Sequence, residues 1–313
     1  MEPLFLKAQM HEKIWGGSKL RDVFGYEIPS DKTGECWAIS AHPNGVSKIV
    51  NGRYQGKGLD WLYEKHPELF GHPTSPVFPL LTKILDANDW LSVQVHPDDA
   101  YGLEHEGELG KTECWYVLAA DPGAEIIYGH KAQSKEELRQ EIEAGNWEEL
   151  LTKVPVKAGD FFYVPSGTMH AIGGGILILE TQQSSDTTYR VYDFDRKDDQ
   201  GRLRDLHIDQ SIDVLNLGEP ANSRPVSMRV DDLTSTLLVA SSFFTVYKWQ
   251  VAGRVEMKRT ADYLLVSVLA GKGSIEVGGQ TYSLEKGQHF ILPHDVTEWM
   301  FEGQELTLLI SHP

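Results

Sequence analysis

Lys157-Ala-Gly-Asp-Phe-Phe-Tyr-Val-Pro-Ser-Gly-Thr-Met-His170 and Glu285-Lys-Gly-Gln-His-Phe-Ile-Leu-Pro-His-Asp-Val-Thr-Glu298 are two versions of one pattern: glycine, strand, proline, turn. Upstream of each lies a strand pair joined through a glycine turn, Tyr116-Val-Leu-Ala-Ala-Asp-Pro-Gly-Ala-Glu-Ile-Ile-Tyr128 and Val266-Ser-Val-Leu-Ala-Gly-Lys-Gly-Ser-Ile-Glu-Val277. Around this echo most segments are short, rich in β-branched and aromatic residues, and punctuated by Gly, Pro and Asp, the pattern of an all-β sandwich or barrel. Asp89-Trp-Leu-Ser-Val-Gln-Val-His96 alternates cleanly, with Leu91, Val93 and Val95 on one face and Ser92, Gln94 and His96 on the other. Strands are also expected at 113–118, 160–164, 175–180 and 188–192. Helices are the minority. Ser134-Lys-Glu-Glu137 is a capping box that opens a helix stopped by Gly145, Asn146-Trp-Glu-Glu149 opens another through Leu150 and Leu151, and 58–66 is a third, ended before Pro67.

The repeated unit resembles the cupin jelly roll, used twice, at roughly residues 90–195 and 235–313 of the sequence. The fold class expected is therefore mainly β: two cupin-type jelly-roll barrels with a small helical insertion at about 131–153. Residues 1–225 would form a catalytic cupin domain and 226–313 a C-terminal cupin domain lacking metal ligands. The stretch from Gly218 to Asp232, with Pro220, Asn222, Ser223 and Pro225, reads as the linker. Leu264, Leu265, Val266, Ile291 and Leu292 read as core of the second barrel, which would cover an edge of the first or form a subunit contact.

At 313 residues the chain is long enough for two such units, each with its own core. No apolar run approaches the ~18 residues needed to span a bilayer, and the N-terminal segment lacks the apolar stretch of a secretion signal. A cytoplasmic location is expected. Twenty-nine Lys and Arg against 46 Asp and Glu give a formal charge of −17, a field that repels nucleic acid and anionic membranes. A small phosphorylated ligand remains compatible, because two or three cations reverse the sign locally. Cys36 and Cys114, 78 positions apart with no Cys-x-x-Cys spacing, read as buried thiols.

The two copies differ in chemistry. Five residues past its proline the first has His170, whereas the second has Glu298 and no His-x-His or Gln-x-His strand before it. Only the first is expected to hold a metal. Its candidates are Gln94 and His96, two apart and so on one strand face, Glu113 on the next strand, and His170 after the proline turn. Two imidazoles, a carboxylate and an amide oxygen suit Zn²⁺, one per chain. Lys83, Lys111 and Arg190 flank these positions, and Lys111 shares a strand face with Glu113, which suggests a pocket for an anionic ligand.

The motifs Lys13-Ile-Trp-Gly-Gly17, Gly34-Glu-Cys-Trp37 with Ala41-His-Pro43, Lys83-Ile-Leu-Asp-Ala87, Leu91-Ser-Val-Gln-Val-His-Pro-Asp98, Lys111-Thr-Glu-Cys-Trp-Tyr116, Val164-Pro-Ser-Gly-Thr-Met-His170 and Ser185-Asp-Thr-Thr-Tyr-Arg190-Val-Tyr-Asp193 run in order through the chain. In these the sequence resembles the type I mannose-6-phosphate isomerases, in particular the short bacterial form. The resemblance implies a zinc enzyme that interconverts mannose 6-phosphate and fructose 6-phosphate, with Gln94, His96, Glu113 and His170 as ligands, Arg190 and Lys111 as catalytic residues, and Lys83 and Glu35 at substrate-binding positions. Gly110-Lys-Thr-Glu113 replaces the His-Lys-Pro-Glu of longer members, so no role of that histidine carries over. The large helical domain of the long forms is reduced to residues 131–153.

Moving a carbonyl between C1 and C2 requires taking a proton from a carbon beside C=O, so the developing enediolate must be stabilised. The proton carrier needs a near-neutral pKa; Lys111 lowered beside zinc, or Glu35 raised by burial, would each serve, and the sequence does not choose. Two rivals stand beside this reading. His96, Glu113 and His170 also form a two-His-one-carboxylate triad for an Fe(II) oxygenase, although Gln94 occupies a position O₂ would need. A non-catalytic sugar-phosphate-binding cupin is the other; no output module is evident for it. No Gly-rich nucleotide loop is present for a bifunctional nucleotidyltransferase. The partner expected is a small phosphorylated sugar, with no nucleic acid and no membrane, and a homo-oligomer is left open.

Overall fold

The structure, a computed structural model, describes residues 1–221 and 223–313; Asn222, part of the expected linker, lies outside the described residues. Two antiparallel sheets make the first barrel. The six-stranded one runs, edge to edge, Phe161–Val164, Glu113–Ala120, Ile176–Gln183, Leu80–Ala87, Thr33–Ile39, Gln9–Gly17. The five-stranded one runs Tyr189–Tyr192, Val93–Val95, His170–Ile172, Glu125–His130, Leu151–Pro155. The mainly β, twice-used cupin architecture is as expected.

The register explains how distant motifs meet. Val93–Val95 pairs on one side with the strand carrying His170, which lies opposite Gln94, and on the other with the strand carrying Arg190, also opposite Gln94. Gln182 of the central strand lies opposite Glu113, and Glu180 opposite Lys83. Leu91, Val93 and Val95 are buried, as their alternation requires, but the ladder is formed only by Val93–Val95, shorter than the eight-residue alternation suggested.

The second barrel is one ten-stranded antiparallel sheet wound around the long strands Leu264–Val277 and Glu298–His312. Of the five residues expected in its core, all are buried, but only Leu264, Val266 and Leu292 lie inside it; Leu265 and Ile291 alternate to the other face and pack in a cluster with Cys36, Leu80 and Cys114 of the first barrel. Two features differ from the sequence reading. The glycines at 271 and 273 make no turn: the strand runs through them, and register shifts around Ala270, with Gly271 at φ +78°, bend it. In the first barrel the matching Gly123, at φ +81°, does turn the chain, from one sheet into the other. Second, this sheet takes in Leu4–Lys7, paired with His289–Leu292, and Lys48–Ile49 beyond it, so strand pairing crosses the position expected for the domain boundary.

Helices form at Lys135–Ala144, where Ser134 Oγ accepts from the Glu137 N–H, and at Trp147–Leu150. Leu151, expected in the second helix, instead starts a strand that pairs with Glu125–His130, so the helical insertion ends at residue 150. Leu59–Lys65 is helical as expected; the short helices Lys19–Phe24, Asp99–His105 and Ile208–Val214 had no clear sequence signal. Residues 226–230, assigned to the linker, are a strand. Among the described residues no helix is long and apolar enough to cross a membrane. Both cysteines are buried and free.

Candidate active site

A cavity of about 280 Å³ opens in the first barrel and is lined by Gln94, Lys111, Glu113, Lys83, Glu35 and Arg190, among others. His96 and His170 are fully buried against Glu113. All eight residues singled out in the sequence are thus brought to one place.

His96, Glu113 and His170 offer donor atoms within 4.8 Å of one another, the one such group of His, Cys, Asp and Glu among the described residues. Their orientation is set by the backbone. His96 Nδ1–H donates to the Thr187 carbonyl at 3.0 Å, and His170 Nδ1–H to the Thr168 carbonyl at 2.9 Å. A carbonyl only accepts, so both protons sit on Nδ1 and both Nε2 lone pairs point at Glu113, 3.4 Å from Oε2 for His96 and 3.3 Å from Oε1 for His170. Burial, with Lys111 adding to it, pushes His96 down to about 3, and burial also lowers His170. For Glu113, burial works upward, but the Lys111 charge outweighs it and holds the carboxyl well below its ordinary value. His96 Nε2 and Glu113 Oε2 are buried with no hydrogen-bond partner. Unprotonated donors turned toward one another in a dry site repel unless a cation sits between them, so these residues fit a divalent metal. The Gln94 amide lies 3.3 Å from His170 Nε2, and a flip of that amide turns its oxygen toward the same point.

The cations sit around the carboxylates. Lys111 Nζ is 3.4 Å from Glu113 Oε2; Lys83 Nζ lies 3.9 Å from Glu35 Oε2 and 4.0 Å from Glu180 Oε2; Lys13 Nζ is 3.3 Å from Glu35 Oε1. The Glu35 carboxyl also accepts from the Trp37 indole at 2.7 Å. Burial works to raise Glu35, but Lys83, Lys13 and that hydrogen bond hold it down at about 2. The expectation of a Glu35 raised by burial is therefore corrected: it is an anion clamped between lysines. In the protein's own field Lys111 is raised, because Glu113, Glu180 and other carboxylates outweigh the effect of burial.

Glu180 was not found from sequence. Its carboxyl, fully buried in the cavity wall, shares the Trp115 indole with Glu113: Nε1–H lies 3.1 Å from Glu180 Oε1 and 3.0 Å from Glu113 Oε1. Burial first, then the Glu113 charge, raise it to about 7. The signal was there in Ile176-Leu-Ile-Leu-Glu-Thr-Gln-Gln183, where four polar residues continue an apolar run on a strand buried throughout. Arg204 was also missed. It lines the cavity beside Arg190 with its guanidinium seated on Asp193, Nε to Oδ2 at 2.7 Å and Nη2 to Oδ1 at 2.5 Å. Arg190 donates from Nη1 to the Asp205 carbonyl at 2.8 Å, while its buried Nε–H has no partner.

Comparison with known proteins agrees with this geometry. Residues 4–118 match the catalytic domain of type I phosphomannose isomerase, and residues 234–313 match the cupin domain of mannose-6-phosphate isomerase. The chain is 71% identical to a mannose-6-phosphate isomerase of Streptococcus mutans, over 99% of this chain and 98% of that one. It is 52% identical to a mannose-6-phosphate isomerase of Bacillus subtilis, over 99% of both. A crystal structure of the Bacillus subtilis mannose 6-phosphate isomerase superposes with a TM-score of 0.98 at 48% identity, covering 100% of each chain. The chain belongs to the type I phosphomannose isomerase family.

Proposed function

We propose that this chain is an aldose–ketose isomerase that interconverts mannose 6-phosphate and fructose 6-phosphate through an enediolate, with one Zn²⁺ per chain held by Gln94, His96, Glu113 and His170. The observation that carries the reading is the convergence of buried, unprotonated donors beside a cavity walled by Lys13, Lys83, Lys111, Arg190 and Arg204. The family membership, and relatives named for this activity over their whole length, support it. Residues 1–225 serve as the catalytic unit, apart from Leu4–Lys7 and Lys48–Ile49, which pair into the second sheet, and 226–313 make the rest of a second barrel in which no cluster of metal donors is found among the described residues.

When bound, the divalent ion supplies electrophilic pull on a sugar oxygen next to the reacting carbons. The other roles fall to the chain's own side chains. Arg190, with an unused N–H, donates to the second enediolate oxygen, a placement in which fixed charge acts on charge as it develops. Lys111, which lies just before the strand Glu113–Ala120 and not on it, and Glu180, on the neighbouring strand Ile176–Gln183, line the same cavity and are positioned to take and return the proton between C1 and C2. Glu35, held by Lys13 and Lys83, accepts from sugar hydroxyls, and Lys83 donates to them. Trp15, Leu85, Leu91 and Ile172 supply the apolar wall that limits water. Arg204, partly exposed beside Arg190, is placed for the phosphate dianion.

The test is to incubate the purified, metal-analysed protein with mannose 6-phosphate and follow fructose 6-phosphate. Conversion is expected to persist without oxygen, to stop on chelation and to return with Zn²⁺. No conversion by metal-replete protein refutes the isomerase reading, and turnover that requires oxygen replaces it with the Fe(II) oxygenase.

A further inference from the structure

Arg190 stands on an edge strand, at a point where the ladder alone does not fix it. Its strand, Tyr189–Tyr192, pairs with Val93–Val95 on one side and with no strand on the other among the described residues. The register shifts between Arg190 and Tyr192, the kind of irregularity that re-aims a side chain. A guanidinium that must meet one oxygen at one angle needs a second support there.

That support is His207. The Arg190 backbone N–H donates to His207 Nδ1 at 3.1 Å, and the His207 backbone N–H donates to the Arg190 carbonyl at 2.7 Å. These two bonds reproduce the exchange of an antiparallel pair, with a ring nitrogen in the place of one carbonyl. The ring serves only while Nδ1 keeps its lone pair, so its proton sits on Nε2. Burial, with the Arg190 charge adding to it, lowers the His207 pKa and favours that neutral form. Two residues earlier the Asp205 carbonyl accepts from Arg190 Nη1 at 2.8 Å, so one short segment grips both the backbone and the head of the arginine.

The segment is itself anchored at both ends. Arg204 is seated on buried Asp193. Helix Ile208–Val214 begins directly after His207, and its Ile208 and Ile212 pack in one cluster with Tyr189 and Val191. Ser211 closes the first turn by donating its N–H and its hydroxyl to the His207 carbonyl, at 2.9 and 2.6 Å, while the His207 side chain makes no capping bond. The imidazole has no task in the start of the helix and bonds to Arg190 instead.

We propose that His207 is a positioning residue for Arg190: with its ring acceptor and its backbone it completes the edge strand and holds the guanidinium toward the developing enediolate oxygen. The inference rests on the isomerase reading and on the part Arg190 plays in it.

The test uses the full chain. His207→Leu deletes the acceptor and leaves the backbone bonds of the helix start in place. With mannose 6-phosphate its kcat should fall ~10- to 100-fold, the scale of a misplaced catalytic group. KM, bound metal and melting temperature should stay close to wild type, since the interaction lost is one made in the transition state. His207→Asn sets Oδ1 where Nδ1 stood and should return kcat to within about 3-fold of wild type. In an Arg190→Ala background His207→Leu should cost less than about 2-fold, because the two residues act as one unit. Apart from turnover, amide hydrogen exchange at residue 190 should quicken in His207→Leu and stay slow in His207→Asn. Unchanged kcat or unchanged exchange in the leucine variant, an asparagine variant no better than the leucine one, or losses that multiply in the double variant overturn the proposal. Absent turnover in metal-replete wild type, or an Arg190→Ala variant as fast as wild type, overturns the reading beneath it and the proposal with it; both are seen with His207 intact, so the two failures are told apart.

Discussion

His289 is a buried imidazole whose protonation state the surrounding bonds dictate, and replacing it should flatten the acid dependence of stability by a definable amount. Tyr26 Oη donates its one proton to the Gly287 carbonyl at 2.7 Å, so the 2.9 Å contact between Tyr26 Oη and His289 Nε2 has the imidazole as donor. Nδ1 then accepts from Ser267 Oγ at 2.8 Å. Both ring nitrogens are satisfied in the neutral form, and burial pushes the pKa from 6.5 down to about 3. A lowered histidine pKa means that the unfolded chain binds the extra proton first, so stability is full above 6.5 and falls as the pH drops from 6.5 toward about 3. Each pH unit in that window is worth about 1.4 kcal/mol, so by about pH 5 the wild type should have lost about 2 kcal/mol from this group relative to about pH 8. That figure barely depends on the folded-state value, since at about pH 5 the folded ring stays neutral for any pKa below about 4. His289→Gln should be less stable at every pH, because it disturbs the network. Urea unfolding at the two pH values should nevertheless show it losing about 2 kcal/mol less than the wild type between them. His96 and His170 titrate in both proteins and drop out of the difference. Parallel losses in wild type and variant would show that His289 is not held neutral by Tyr26 and Ser267.

His170→Ala removes one of two imidazole donors and should abolish stoichiometric zinc in metal analysis; full metal content with retained turnover takes His170 out of the ligand set. Arg190→Ala should lower kcat by ~10²- to 10³-fold, the scale of a lost oxyanion donor, with metal content unchanged, whereas matching loss of metal would refute the separation of roles. Trp115→Phe keeps an aromatic ring, smaller than the indole, but deletes the N–H shared by Glu113 and Glu180, and metal affinity measured by competition with a chelator should fall ~10- to 100-fold, as for other groups that orient ligands. Unchanged affinity would mean that the indole does not position Glu113.

What the sequence made legible was local: the period-two face of Ser92, Gln94 and His96, the proline turn before His170, and the doubled pattern that contains it. Each of these signals lies within a few residues, where pleat and turn chemistry act. Pairing between distant strands left no such trace. Leu4–Lys7 joins the sheet of His289–Leu292 because its buried Leu4 and Leu6 complete that core, and nothing in the segment itself names so remote a neighbour. Val226–Val230 did alternate, but Pro220 and Pro225 drew it into the linker.

The electrostatics of the site show most clearly where local reading stops. Glu35 and Glu180 are both buried carboxylates on the same sheet and in the same cavity, and burial alone would raise both. Glu35 has two lysines and its own indole donor, and it sits near the bottom of the carboxylate range. Glu180 has Lys83 at 4.0 Å, shares its indole with Glu113, and lies in the repulsive field of that second carboxylate. The strand register decides the difference, by placing Glu180 opposite Trp115 and Lys83, and Glu35 beside Lys13. Two like groups driven apart in proton affinity within one cavity are what acid–base chemistry needs, and the fold supplies that through strands more than a hundred residues apart in the chain.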